Sequence, residues 1–145
     1  MTKKISYMKN SVLIISLSIL GACSEDTAEP SPYEEVNTME NVRIQLEKDS
    51  YSAEGDTFIL TTINESEDEI SYGVAYTLEK EQESNWYRVE PDEEIAFIMI
   101  AHSLGPDQEA AEELNLEYYE PLEPGSYRVV REIEGEVLTA EFEVE

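Results

Sequence analysis

Basic residues are scarce: nine Lys and Arg stand against 34 Asp and Glu, a net charge of −25 over 145 residues. Nucleic-acid binding runs on Lys and Arg neutralising phosphates, so a general basic footprint of that kind is excluded. A single cysteine excludes an intramolecular disulfide and any multi-cysteine zinc or iron–sulfur site. A single histidine excludes every site that needs two imidazoles. Long apolar runs are lacking too, and none reaches the roughly 20 residues that span a bilayer. What is present, 41% hydrophobic residues with nine Tyr, suffices for the core of one small domain.

The first residues read as an address. Lys3, Lys4 and Lys9 form a positive stretch without acids, and Val12 to Leu20 is a short apolar run. That is the layout of a secretory signal peptide, which Met8 would also open if it were the true start. Leu20-Gly21-Ala22-Cys23 then resembles a lipobox, the bacterial lipoprotein processing site. The resemblance implies that the small residues admit the peptidase and that the Cys23 thiol takes a diacylglyceryl group. The alternative is an ordinary signal peptide with a chance cysteine, or a buried free thiol. Two or more acyl chains anchor stably where one is marginal. The expected organisation is a signal peptide over 1–22, a flexible acidic tether over 23–41 and a folded domain over 42–145. The localisation expected is the extracytoplasmic face of the cell membrane.

Without the leader, six basic residues face 34 acidic ones, a net charge of −28. Such self-repulsion favours solubility and opposes compaction. It suggests a face exposed to salt or alkali. Ser24 to Asn41 is acidic and Pro-containing, with too little apolar content to offset its ordering entropy, hence the expected tether.

From Val42 onward a period of two dominates. Val42, Ile44 and Leu46 alternate with polar residues, and Thr57 to Ile63 is β-branched and apolar. Ile70, Tyr72, Val74, Tyr76 and Leu78 share one face of the cleanest strand. Trp86 to Val89 is a short strand, and Ile95 to Ile100, apolar on both faces, is expected as a buried one. Gly105 to Glu113 reads as a loop in which Ala110 to Glu113 forms a helical turn. Leu114, Leu116 and Tyr118 alternate, and Tyr127, Val129 and Arg131 lie on a further strand. Glu134-Gly135 turns into the last strand, with Leu138, Ala140, Phe142 and Val144 on one face. About seven short strands with regular turns predict an all-β, antiparallel immunoglobulin-like sandwich.

Leu122-Glu-Pro-Gly-Ser-Tyr-Arg128 resembles the corner where immunoglobulin-like sandwiches enter their penultimate strand, with Tyr127 returning its hydroxyl to the backbone. With Ile63-Asn64-Glu65-Ser66, Ile70-Ser-Tyr-Gly73, Leu78-Glu-Lys80 and Trp86, the stretch from Val42 to Glu145 is similar to the bacterial Ig-like domains of Bacillus-type cell surfaces. The resemblance implies a fold, with Trp86 as core plug, and almost no function, because such sandwiches host unrelated roles.

Candidate chemistry is thin. His102 beside Ser103 carries no nucleophile motif and reads as a strand-end histidine. Glu65 to Glu69 and Asp92-Glu93-Glu94 offer oxygen ligands to calcium but lack the alternating acids and fixed Gly of a dedicated loop, so solvated turns are expected. Paired carboxylates for a glycosidase lack an aromatic cleft that would part their pKa values. Among Tyr33, Tyr87, Tyr118 and Tyr119, the acid-flanked Tyr87 and Tyr119 are expected as an exposed pair. Asn64-Glu65-Ser66 matches a eukaryotic glycosylation sequon, without meaning in a bacterial lipoprotein. No catalytic residue, metal or cofactor is expected. The role expected is non-catalytic binding or structural display, with the membrane as one partner through the anchor and a protein or cell-wall partner besides. The alternative is inhibition of an extracellular protease through a protruding loop, Ala101 to Glu113.

Overall fold

The computed structural model describes residues 28–145. The signal peptide and the lipobox, Leu20, Gly21, Ala22 and Cys23, lie outside the described residues.

Ten strands and one turn of 3-10 helix form two packed sheets among the described residues. The smaller sheet holds β1 (Val42–Leu46), β3 (Phe58–Asn64) and β8 (Gln108–Leu114), in the order β1-β3-β8. The larger runs β2 (Ser50–Tyr51), β10 (Glu136–Val144), β9 (Gly125–Ile133), β4 (Ile70–Gly73) and β7 (Ala101–Leu104). Strand β5 (Thr77–Gln82) also pairs with β9 and carries β6 (Asn85–Arg88) on its far side. All pairings are antiparallel except the short β2–β10 contact. This is the immunoglobulin-like β-sandwich that the sequence pattern predicts.

Alternation sets the core. Val42, Ile44 and Leu46 are buried while Arg43 and Gln45 face water, as a period of two dictates for a strand with one wet face. Phe58 and Leu60 of the smaller sheet lie buried with Leu78, Val129, Leu138 and Phe142 of the larger. Tyr51 stacks on Phe58 at 3.8 Å between ring centroids, and Tyr127 stacks on Phe142 at 5.4 Å. Aromatic pairs in such offset arrays add about 0.5–1.5 kcal/mol beyond their buried area.

Turn chemistry fixes the register of two hairpins. Glu134 and Gly135 both have positive φ between Ile133 and Glu136, the two-residue turn whose twist suits a hairpin. Glu83 and Ser84 adopt the same positive-φ geometry between β5 and β6 without any glycine.

Several expectations are corrected. The run Ile70 to Leu78 keeps its alternating burial pattern, but its ladder breaks between β4 and β5. At the break Arg131 stands in for a strand partner, its guanidinium donating to the carbonyls of Val74 at 2.8 Å and Ala75 at 3.3 Å. Gly105 to Glu113 is not a loop with a helical turn, because Gln108–Leu114 pairs along the whole of β3. As an edge strand with a wet face it needs few apolar residues, and pairing overrides the helical preference of Ala and Glu. For the same reason Ala101 to Glu113 is no protruding loop: its halves belong to two different sheets, β7 and β8, and only a tight turn joins them.

Ile95 to Ile100 is not a buried strand. The segment is irregular, with Ile95 and Phe97 half-buried against the core and Ile98, Met99 and Ile100 exposed. It bridges the step between β6, paired to β5, and β7, paired to β4, where no neighbouring strand is offered. The tether expected through Asn41 is docked from residue 28 onward. Ser31 N donates to Trp86 O (2.9 Å), Arg88 N to Glu29 O (2.8 Å) and Asn37 N to Val137 O (2.8 Å). Open sheet edges supply backbone partners that offset the ordering cost which composition alone left unmet.

Candidate functional site

The corner lies at the start of β9. Gly125 opens β9 with φ +145, and a Cβ there would stand 3.1 Å from Lys80 Cε. Two residues on, Tyr127 points into the core and donates its hydroxyl to Glu123 O at 2.6 Å, four residues back. Burial first, and Glu123 second, push its pKa up to about 12. Lys80 caps the arrangement, 5.7 Å from the Tyr127 ring centroid and 2.9 Å from Glu123 Oε1.

All six basic residues of the described chain are committed to carboxylates. Four pairs lie at the surface: Arg43–Glu65 at 2.5 Å, Lys48–Asp56 at 3.2 Å, Lys80–Glu123 at 2.9 Å and Arg88–Glu90 at 3.5 Å. Exposed pairs of this kind contribute about 0–1 kcal/mol each. The other two are buried. Arg128 reaches Glu79 across β9 and β5 at 2.7 Å, with side chains 6% and 2% exposed. Above that pair, the guanidinium carbon lies 4.4 Å from the Trp86 ring centroid. Trp86 is therefore a half-buried lid on an ion pair and not the core plug that resemblance implies. Arg131, 1% exposed, turns inward from β9 and pairs with Glu112 of β8, joining the two sheets through the core.

The acidic turns are held by their own hydrogen bonds. Glu65 to Glu69 is folded around buried Asn64, whose amide donates to the carbonyls of Asp68, Leu104 and Gly105 at 2.8–3.0 Å. Its Oδ1 accepts from the Ser66 hydroxyl at 2.6 Å, so the turn is satisfied from within. Among the described residues no three His, Cys, Asp or Glu side chains gather to hold a metal ion. His102 lies exposed on β7, opposite Tyr72, with ring centroids 5.6 Å apart. The Ser52 backbone N–H, and after it Lys48, hold the Asp56 carboxyl below its ordinary range.

The tyrosines divide differently from expectation. Tyr119 is buried, Tyr118 is exposed and Tyr87 is half-buried, because the 3-10 turn Glu117–Tyr119 aims Tyr119 inward. Burial raises the pKa of Tyr119 and, to about 12, that of Tyr76, whose hydroxyl donates to Asn115 O at 2.7 Å. The surface feature missed by sequence reasoning is Ile98-Met99-Ile100, exposed by 65%, 100% and 46%. Its signal was present: a run apolar on both faces, placed just after Pro91 and three acids, has no room for two buried faces.

Residues 38–143 match the family model of the Bacterial Ig-like domain. No curated protein matches the chain. Several solved structures resemble parts of it. One is the Pseudomonas fluorescens alkylpurine DNA glycosylase AlkC bound to DNA with an abasic-site analogue, at 19% identity and TM-score 0.42 over 72% of this chain. Another is the Listeria innocua β-glucosidase in complex with gluconolactone, at 20% identity and TM-score 0.35 over 71% of this chain. The chain spans only 30% of the glycosylase and 16% of the glucosidase. The family match covers nearly all of the sandwich, corner included, and the chain belongs to the bacterial Ig-like domain family.

Proposed function

We propose that this chain is a lipid-anchored Ig-like domain on the extracytoplasmic face of the cell membrane, with a non-catalytic binding or structural role. The observation that carries the anchor is Leu20-Gly21-Ala22-Cys23, with the chain's only cysteine at the position that a diacylglyceryl transfer needs. The non-catalytic role is supported by family membership. Protease inhibition loses its basis, since the segment that would have protruded is built into both sheets.

Cys23→Ala tests the anchor. The variant is expected to remain unprocessed or to leave the detergent phase, while the parent chain incorporates labelled fatty acid. A Cys23→Ala chain that is correctly processed and still membrane-bound would overturn the assignment.

A further inference from the structure

The N-terminal segment is fastened at one defined place. Pro30 bridges to Tyr87 on β6, and Glu29 and Ser31 exchange backbone hydrogen bonds with Arg88 and Trp86. Because this pairing is antiparallel, the chain leaving toward Cys23 runs in the direction of residue 89, the start of the segment that carries Ile98, Met99 and Ile100. Ala28 and Val89 line one surface cavity, so the exit lies beside the first residue of that segment. Glu29 lies six residue steps from Cys23, with five residues between. They reach at most about 20 Å when fully extended. A domain of this size is roughly 35 Å across, so an anchor at Cys23 cannot leave the β6–β7 edge facing away from the bilayer.

Met99 is fully exposed, with exposed isoleucines on either side. We propose that Ile98, Met99 and Ile100 dip into the interface of the bilayer that holds Cys23, laying the β6–β7 edge of the sandwich along the membrane. The proposal rests on the lipid-anchor reading above. Tethering makes insertion intramolecular, so even weak partitioning of three apolar side chains is amplified by a high effective concentration. Charge selects the kind of bilayer. Asp92, Glu93 and Glu94 are exposed in the same segment, and no cation of the described residues is free to meet an anionic headgroup. Zwitterionic phosphatidylcholine is therefore the preferred surface. On anionic vesicles added salt should strengthen docking, the reverse of a basic peripheral protein.

The test uses the chain from Cys23 to Glu145, coupled through its only thiol to maleimide lipid in phosphatidylcholine vesicles. Chemical coupling makes the result independent of whether cells acylate Cys23, which the Cys23→Ala fractionation decides separately. Met99→Trp reports the environment of the tip, and the parent chain, with Trp86 alone, supplies the background. Expected are a blue shift of the added emission, its quenching by brominated acyl chains, and loss of both when Ile98→Glu is combined with Met99→Trp. Emission indifferent to the vesicles, or quenching that survives Ile98→Glu, would overturn the proposal. The first result would turn the uncovered β7 edge and its apolar flank into a candidate surface for a protein strand.

Discussion

Replacing Arg131 should be among the costliest single changes to a charged residue in the domain. Its side chain is 1% exposed, faces the core from β9, and donates to Val74 O, Ala75 O and Glu112. Arg131→Met keeps length and apolar bulk but leaves two carbonyls and one carboxylate without their donor. Removing one partner of a buried pair costs about 3–5 kcal/mol, because the group left behind stays desolvated. Glu112 is 30% exposed and can rehydrate, which places the expected loss near the lower end, about 3 kcal/mol. Against a total stability of about 5–15 kcal/mol that is a large fraction. Glu112→Gln keeps an acceptor for the guanidinium and should cost less, about 1–2 kcal/mol. Urea unfolding of both variants and of the double variant gives the coupling between the two sites directly. If Arg131→Met left the midpoint within the error of the parent, or if Glu112→Gln cost as much as Arg131→Met, the inter-sheet ion pair would not be what holds the β4–β5 break in place.

Tyr127→Phe removes the 2.6 Å bond to Glu123 O and should lower stability by about 1–2 kcal/mol, read as a shift in urea midpoint at unchanged slope. Tyr127 and Tyr76 hold their protons more tightly folded than unfolded, both pushed up to about 12. Their contribution is therefore intact below pH 10 and declines as pH rises from 10 toward 12, and alkaline melting curves should show the decline lessened in Tyr127→Phe. Ser84 has φ 71 in the β5–β6 turn, so Ser84→Gly should stabilise by about 0.5–1 kcal/mol, visible as a rise of a few degrees in Tm. Raising NaCl from 0.01 to 0.1 M shortens the screening length from about 30 to 10 Å and should raise Tm, with calcium and magnesium alike at matched ionic strength. Stabilisation by calcium alone would mean that an acidic turn is a true site.

How much could be read from residues depended on whether each strand had one wet face. Val42–Leu46 and Ala140–Val144 alternate strongly because solvent faces one side only, and the sandwich was legible there. Tyr127–Ile133, buried on both faces as far as Arg131, was legible through the corner that opens it. Gln108–Leu114 hid because an edge strand needs little apolar surface, so Ala and Glu spoke for a helix while β3 supplied the pairing. Ile95–Ile100 misled in the opposite sense, since apolar residues on both faces imply two covering layers and the fold provides one. The docked segment from Glu29 to Asn37 carries no pattern at all; its partners are backbone groups, which are the same in every sequence. Arg131 was visible on the inward face of its strand, two residues after Val129, but its partner Glu112 lay in a segment read as loop.

The charge imbalance gains a physical meaning once the pairs are placed. Twenty-eight surplus acids would disfavour compaction most if they crowded the core, yet the two carboxylates that are paired inside, Glu79 and Glu112, each hold an arginine. The remaining cations of the described residues sit at the surface beside single acids, and the other described carboxylates are exposed or half-exposed, where water and salt screen them. Repulsion of that kind acts over the whole surface and barely on the sheet-to-sheet contact, so folding tolerates it while association with like copies does not. Among the described residues the apolar tip at Met99 is the most exposed hydrophobic feature on this acidic shell. A second copy would bring the same negative field to that tip. A neutral bilayer brings none, and for that reason lipid is the occupant that charge allows.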